Sequence, residues 1–308
     1  MVPASSENRL MSICLLASFP VLNLAGPTSR LLWPSWFQCV RSDLNSSNAG
    51  LESSILTSGH PGRDATLLTD SPHSISNPAS ESATAAMTIL IHHLHVSQSE
   101  RIPWLCEELG LPYDLKLYSR APLLAPPEYK ALHPAGSAPT IQDGDLTMAE
   151  SGAIVTYLCH KHAGGRLFLG PADPEYPHFL YWFHWVNGTF TPALARAMGL
   201  ASSGQTGPMA DMTRARVAGG LAAMDARLRD NEYLGGKEFS AADIMAVFPV
   251  TTMRYFYSLD LSPYENILRW LKTVSQREAY QRAMKKCEPD MELCLGAEPP
   301  ELFAAMRR

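Results

Sequence analysis

The sequence predicts an α/β layer followed by an all-α bundle, and three observations predict it. Between residues 88 and 163, short strand-like stretches alternate with helical patterns, the order expected where helices cover a sheet. Inside that stretch Pro139 stands between Ala138 and the β-branched Thr140-Ile141, and a helical pattern then opens on Glu150-Ser151. From residue 176 to 287 the apolar residues recur at helical spacing. A chain of 308 residues holds about two such units.

Each element has a local reason. Residues 88–95 are rich in isoleucine and leucine and alternate, which reads as a strand. Ser99 to Leu109 carries Ile102, Leu105, Cys106 and Leu109 on one helical face and ends at Gly110. Pro103 is tolerated near the first turn, where its missing N–H has no helical partner. Leu115–Tyr118 makes a second strand, and Pro126-Pro127-Glu128 opens a short helix that ends before His133-Pro134. Pro139–Gln142 and Leu146–Met148 flank the turn dipeptide Asp143-Gly144. The helix from Glu150 to about His162 stops at Gly164-Gly165. This order, βαβ-α-ββα, fits a thioredoxin-like layer over residues 87–163.

After a linker at 164–175, residues 176–199 and 208–231 carry long helical patterns, and 264–287 form the last helices of a bundle spanning 176–288. Ser240-Ala241-Ala242-Asp243 reads as a capping box, a structural rather than catalytic feature. The tail, 289–308, is expected to dock loosely. Residues 1–86 differ from the rest. Their second half is rich in Ser, Asn, Thr and Ala, too poor in large apolar groups to bury a core. A disordered extension ahead of Met87 is the expectation. The more apolar run at 10–27 is broken by Pro20, marginal for a membrane span and weak as a leader, so a mitochondrial or endoplasmic-reticulum signal stays the alternative to a cytoplasmic protein.

A net charge of −5 and a pI near 6.1 make no general electrostatic case for nucleic acid or anionic membrane. The six cysteines show no C-x-x-C pair and no disulfide spacing, and Cys106 and Cys159 lie on apolar helical faces. A reducing compartment follows.

The candidate chemistry sits where strands and helices meet. An X-Pro bond takes the cis form for roughly 0.5–1 kcal/mol. A cis turn at Ala138-Pro139 leaves the Ala138 N–H and C=O for an extended peptide ligand. The helix opening on Glu150-Ser151 offers free N–H groups and a positive dipole end to a carboxylate. Together they suit a small anionic peptide. His92-His93-x-His95 and Cys159-His160-x-His162 raise the question of a metal. On a strand His93 and His95 share a face and His92 does not, and the second pattern lacks i,i+4 spacing; no metal is expected.

Five motifs, in register over residues 88–288, resemble the soluble glutathione transferases, most of all their bacterial and fungal serine-type group. They are HHL (92–94), S-x-S-x-R (97–101), APPE-x-K (125–130), E-S-G-A-I (150–154) and YW-x-H (181–184). The resemblance implies a set of roles. Ser97, with Ser99 as the alternative, holds and polarises the glutathione thiolate; capping of the following helix is the competing role. Ala138 and Pro139 pair with the peptide, Ser151 takes the γ-glutamyl carboxylate and Glu150 faces its ammonium. Tyr181, His184 and Trp185, on one helical face, line a hydrophobic acceptor pocket or pack in the core. The family's basic residue after HP-x-G is Ser137 here, with Lys130 or Arg120 as substitutes, and its acidic-Gly-Ser is Asn187-Gly188-Thr189. The function implied is glutathione conjugation to a hydrophobic electrophile in detoxification, by a cytoplasmic homodimer without metal or nucleic-acid partner. A glutathione-dependent peroxidase or isomerase and a non-catalytic binding protein are the alternatives.

Overall fold

β1 (Ile89–Leu94) is the strand around which the sheet is built. It pairs in parallel with β2 (Tyr113–Tyr118) and antiparallel with β3 (Thr140–Asp143). β3 pairs antiparallel with β4 (Leu146–Ala149), so the order is β2-β1-β3-β4. A parallel pair needs a crossover. One 3-10 turn at 98–100 and α1 (Arg101–Leu109) supply it, and Gly110 ends the helix in the left-handed conformation at φ 65°. The computed structural model describes residues 88–303.

Alternation along β1 sorts its side chains between two layers. Ile89 and Ile91 are buried in one core with Ile102 and Leu105 of α1 and with Ile154, Val155 and Leu158 of α3 (Ser151–Ala163). Leu94 packs on the other face with Tyr118 and with Tyr129 of α2 (Pro127–Lys130). The β3–β4 turn falls one residue later than expected: Asp143 still pairs, opposite Leu146, and Gly144, at φ 59°, begins the turn. This is the thioredoxin-like layer, and the rest of the described chain is helical. Cys106 and Cys159 are fully buried in it, and burial pushes both thiols up to about 12.

The long pattern from 176 is two helices on a nearly continuous run. α4 (Tyr176–Trp185) passes through a π turn, Val186–Phe190, into α5 (Thr191–Ser202). Asn187-Gly188-Thr189 lie in that wide turn. The remaining helices are α6 (Pro208–Arg229), α7 (Ala241–Val250), α8 (Glu265–Ser275) and α9 (Glu278–Cys287). Every residue of α7 is buried, its nine apolar residues and Asp243 alike.

The capping box forms and reaches further than its own helix. The Asp243 carboxylate accepts from Ser240 N–H (3.0 Å) and Ser240 Oγ (3.1 Å), and also from Leu234 N–H (2.9 Å) and Trp270 Nε1 (2.9 Å). Four donors on two oxygens match an ionised carboxylate, though burial raises this one to about 6. It ties the loop before α7 to α8.

The expectation of a loosely docked tail is overturned as far as residue 303. Arg254, fully buried, donates to the carbonyls of Leu259 (3.1 Å), Gly296 (2.8 Å) and Ala297 (2.8 Å), so the tail's backbone satisfies a buried cation. Phe303 stacks on Tyr255 with ring centroids 5.4 Å apart. The disordered extension expected over 1–86, and residues 304–308, lie outside the described residues.

Replacing Asp243 by Ala leaves four buried donors without their acceptor. At about 1–3 kcal/mol for each unsatisfied group, unfolding free energy in a denaturant titration is expected to fall by at least about 3 kcal/mol; a loss under about 1 kcal/mol contradicts the assignment.

Candidate active site

The turn after β1 carries the two candidate serines. Ser97 is 5% exposed; its Oγ accepts from Ser99 N–H (3.2 Å) and meets Ser99 Oγ at 2.7 Å. The capping role is therefore real. Ser99 is fully buried, within 2.8 Å of His93 Nδ1, and accepts from Leu94 N–H at 3.1 Å. It is enclosed by the end of β1, while Ser97 lies nearer the surface.

Two side chains from elsewhere hold this turn. Val96 sits at φ 54°, in the left-handed region that a β-branched residue avoids. Its N–H donates to Glu288 Oε1, and its carbonyl accepts from Arg120 Nη2 (2.7 Å). Arg120 Nε also reaches His95 O (2.9 Å). Arg120 is thus committed to backbone carbonyls and does not replace the missing basic residue at Ser137. Lys130 stays beside that turn, its stem against Gly136.

The Ala138-Pro139 bond is cis. The Ala138 carbonyl is not free as expected, because Gln98 Nε2 donates to it at 3.1 Å. At the start of α3, the first backbone bond runs from Ile154 N–H to Glu150 O (2.9 Å), and no side chain caps the helix. The N–H groups of Ser151, Gly152 and Ala153 so face outward from a positive helix end. Glu150 is exposed and held at φ 75°. Ser151 is buried, its Oγ accepting from Arg101 Nη1 (3.1 Å) and Asn187 Nδ2 (2.9 Å). Arg101 is wholly buried, with Nε and Nη2 lacking hydrogen-bond partners. Burial lowers its pKa to about 9, which still leaves a cation behind the helix end at neutral pH.

Glu150, Gly152 and Ala153 open onto a cavity of about 740 Å³, closed on the other side by Phe183, His184 and Asn187. A second cavity, about 550 Å³, lies beside the 95–96 turn and is walled by Tyr255, Glu288, Met291 and Phe303. A third, about 390 Å³, shares His95, Val96 and Phe303 and adds Pro122 and Leu123. The aromatic face expected to line one acceptor pocket divides three ways. His184 lines the first cavity, Tyr181 is 54% exposed, and Trp185 is buried, stacked on Phe190 at 4.7 Å. A helical face shared in sequence was split by the packing of α4, which buries one side of it.

Residues 97–161 match the family model of the glutathione S-transferase N-terminal domain, and residues 173–278 that of the C-terminal domain. Glutathione S-transferase 3 of Schizosaccharomyces pombe is 33% identical over 214 residues, covering 65% of this chain and 88% of that protein. The chain belongs to the glutathione S-transferase family. A crystal structure of a glutathione S-transferase from Actinobacillus pleuropneumoniae is 32% identical with a TM-score of 0.60, covering 65% of this chain and 93% of that one. A disulfide-bond oxidoreductase of Escherichia coli is 28% identical over 171 residues, 53% of this chain and 78% of that protein.

In this transferase one group of described residues brings metal-ligating atoms together: His93, His95 and Glu288, all within 4.8 Å of one another. The Glu288 carboxylate is held below the ordinary range, burial opposing and the hydrogen bonds from His93, Val96 and His95 prevailing. Burial pushes His93 down. The carboxylate is hydrogen-bonded to His93 Nε2 (2.9 Å), to His95 Nδ1 (3.0 Å) and to the Val96 N–H. The other pattern disperses: Cys159 is in the core, His160 lies against Phe168, and His162 meets Asp143 at 2.6 Å. Neither Glu288 nor Asn187 as a partner of Ser151 was legible in the sequence, since the contacts span 195 and 36 positions.

Glu100, between the serine turn and α1, is buried and raised to about 8 by desolvation; its Oε2 accepts from Thr252 Oγ1 at 2.7 Å. The folded transferase keeps a proton there that the unfolded chain releases above about pH 4.5. The stability this contributes is present in acid and is lost as pH rises to about 8. Glu100→Gln is expected to remove that loss, so the gap in unfolding free energy over wild type widens to a few kcal/mol by about pH 9, at about 1.4 kcal/mol per unit. Parallel stability curves against pH for the two proteins contradict it.

Proposed function

We propose that this transferase ionises the thiol of glutathione and conjugates it to a hydrophobic electrophile. The start of α3 carries the reading. Unpartnered helix N–H groups, a hydroxyl and a buried guanidinium converge there, and these are the groups that hold a carboxylate. From that socket an extended peptide runs past the cis turn at Pro139 toward Ser97. The two cavities flanking Val96, with Tyr255, Met291, Leu123 and Phe303 in their walls, supply apolar room for the acceptor. Cys106, Cys159, Cys287 and Cys294, the cysteines among the described residues, are buried with raised pKa values, which supports a reactive sulfur supplied by the ligand. Binding to immobilised glutathione, followed by turnover of a generic aryl halide, tests the whole reading.

A second reading is glutathione-dependent reduction on the same thiolate, favoured by the likeness to the disulfide-bond oxidoreductase. Offering the enzyme an aryl halide and a small disulfide separately, and identifying the products, distinguishes conjugate from reduced thiol.

Glu150→Ala and Ser151→Ala are each expected to weaken glutathione binding by roughly 1–3 kcal/mol. Unchanged affinity of both variants in titration calorimetry removes the socket.

Ser97→Ala is expected to leave affinity nearly intact and to raise the pKa of the bound thiol by roughly one to two units, as a charge-assisted hydrogen bond contributes about 1.5–3 kcal/mol. Turnover near neutral pH then falls about tenfold and partly recovers in alkali. An unshifted thiolate absorbance profile excludes Ser97 as the donor to sulfur.

A further inference from the structure

A chain of four side chains runs from the end of α9 to the serine turn. Glu288 Oε1 lies 2.9 Å from His93 Nε2, His93 Nδ1 lies 2.8 Å from Ser99 Oγ, and Ser99 Oγ lies 2.7 Å from Ser97 Oγ. His93 and Ser99 are fully shielded from solvent, and Glu288 and Ser97 are 5% exposed.

The direction of each bond follows from counting donors. An ionised Glu288 only accepts, so His93 carries its proton on Nε2 and Nδ1 is an acceptor. Ser99 then donates to His93 Nδ1 at 2.8 Å, the shorter of its two contacts with an acceptor, the Leu94 carbonyl lying at 3.3 Å. Its two lone pairs accept Leu94 N–H (3.1 Å) and the hydroxyl of Ser97. Ser97, having given its proton to Ser99 and accepted Ser99 N–H (3.2 Å), keeps one lone pair and no proton. At rest it can receive an S–H, and it has nothing to offer a thiolate.

We propose that this chain removes the thiol proton from glutathione, with His93 as the acceptor at its far end. The inference rests on the reading of Ser97 as the residue that faces the sulfur. The S–H bond breaks and its electron pair stays on sulfur. The proton goes to Ser97 Oγ, the Ser97 proton to Ser99 Oγ, and the Ser99 proton to His93 Nδ1. The product state satisfies every group again: imidazolium donates to Glu288 and Ser99, Ser99 donates to Ser97, and Ser97 donates to the thiolate. His93 is thus a positioning residue for Ser97 in both states. Burial weighs most against the imidazolium; of the charged and titratable groups facing His93, Glu288 favours it and His95 and Arg120 oppose it.

The test counts protons in the full chain. Glutathione binding is followed by thiolate absorbance, and by calorimetry in buffers of different ionisation enthalpy, for wild type, Ser97→Ala, His93→Gln and Ser99→Ala. Wild type is expected to form thiolate without releasing a proton to buffer. His93→Gln keeps a hydrogen-bonding side chain that cannot take a proton. It is expected to form about tenfold less thiolate near neutral pH, and to release one proton per thiolate in alkali. Ser99→Ala cuts the chain while leaving His93 and Glu288 in place, so it gives the same result and decides the matter if His93→Gln does not fold. Proton release by wild type equal to that of the folded variants overturns the relay. A shifted Ser97→Ala profile beside unshifted His93→Gln and Ser99→Ala profiles overturns the relay alone, whereas an unshifted Ser97→Ala profile overturns the reading of Ser97.

Discussion

The Glu288 carboxylate receives N–H groups from His93, His95 and Val96, and so joins the end of α9 to the last residues of the first strand and the turn beyond it. That turn cannot hold itself. A valine at positive φ is disfavoured by its own side chain, and only contacts from outside the turn keep it there. Glu288 takes the backbone N–H, and Arg120 takes the carbonyls on either side. The conformation of the serine turn is therefore set by residues remote from it.

Charge is arranged on the same plan at the other end of the proposed peptide groove. Arg101 lies behind the first turn of α3, where its field adds to that of the helix. Burial denies it water and the surrounding protein gives hydrogen bonds to only one of its nitrogens, Nη1. A buried cation so poorly satisfied costs stability in the empty protein and favours an anion at the helix end. Its neighbour Glu100 is kept neutral by the same burial and adds no negative charge to oppose it.

Much of the layer was legible because its causes are local. The left-handed glycines 110 and 164, the X-Pro turn before a β-branched run, and Ser240 with Asp243 each specify their geometry within a few residues. Helical periodicity located the bundle but passed through Val186–Phe190 without marking the π turn, since one extra residue in a turn barely disturbs an apolar pattern. Periodicity also put Tyr181, His184 and Trp185 on one face, yet burial depends on what lies opposite, and that is tertiary. Arg120 read as a substitute for the basic residue missing at Ser137, and nothing in the sequence marked Arg254 or Glu288. Their roles come from partners that chain order keeps far apart.

Phe303 stands in the walls of both cavities beside Val96, and Met291 in one of them. Both residues lie past position 278, where the match to the family model ends. The proposed acceptor space is thus bounded in part by a stretch outside the sheet and the named helices. Its backbone is held by Arg254, but its side chains are not, so under the proposed reading changes at Met291 and Phe303 reshape the acceptor space while leaving the peptide groove untouched.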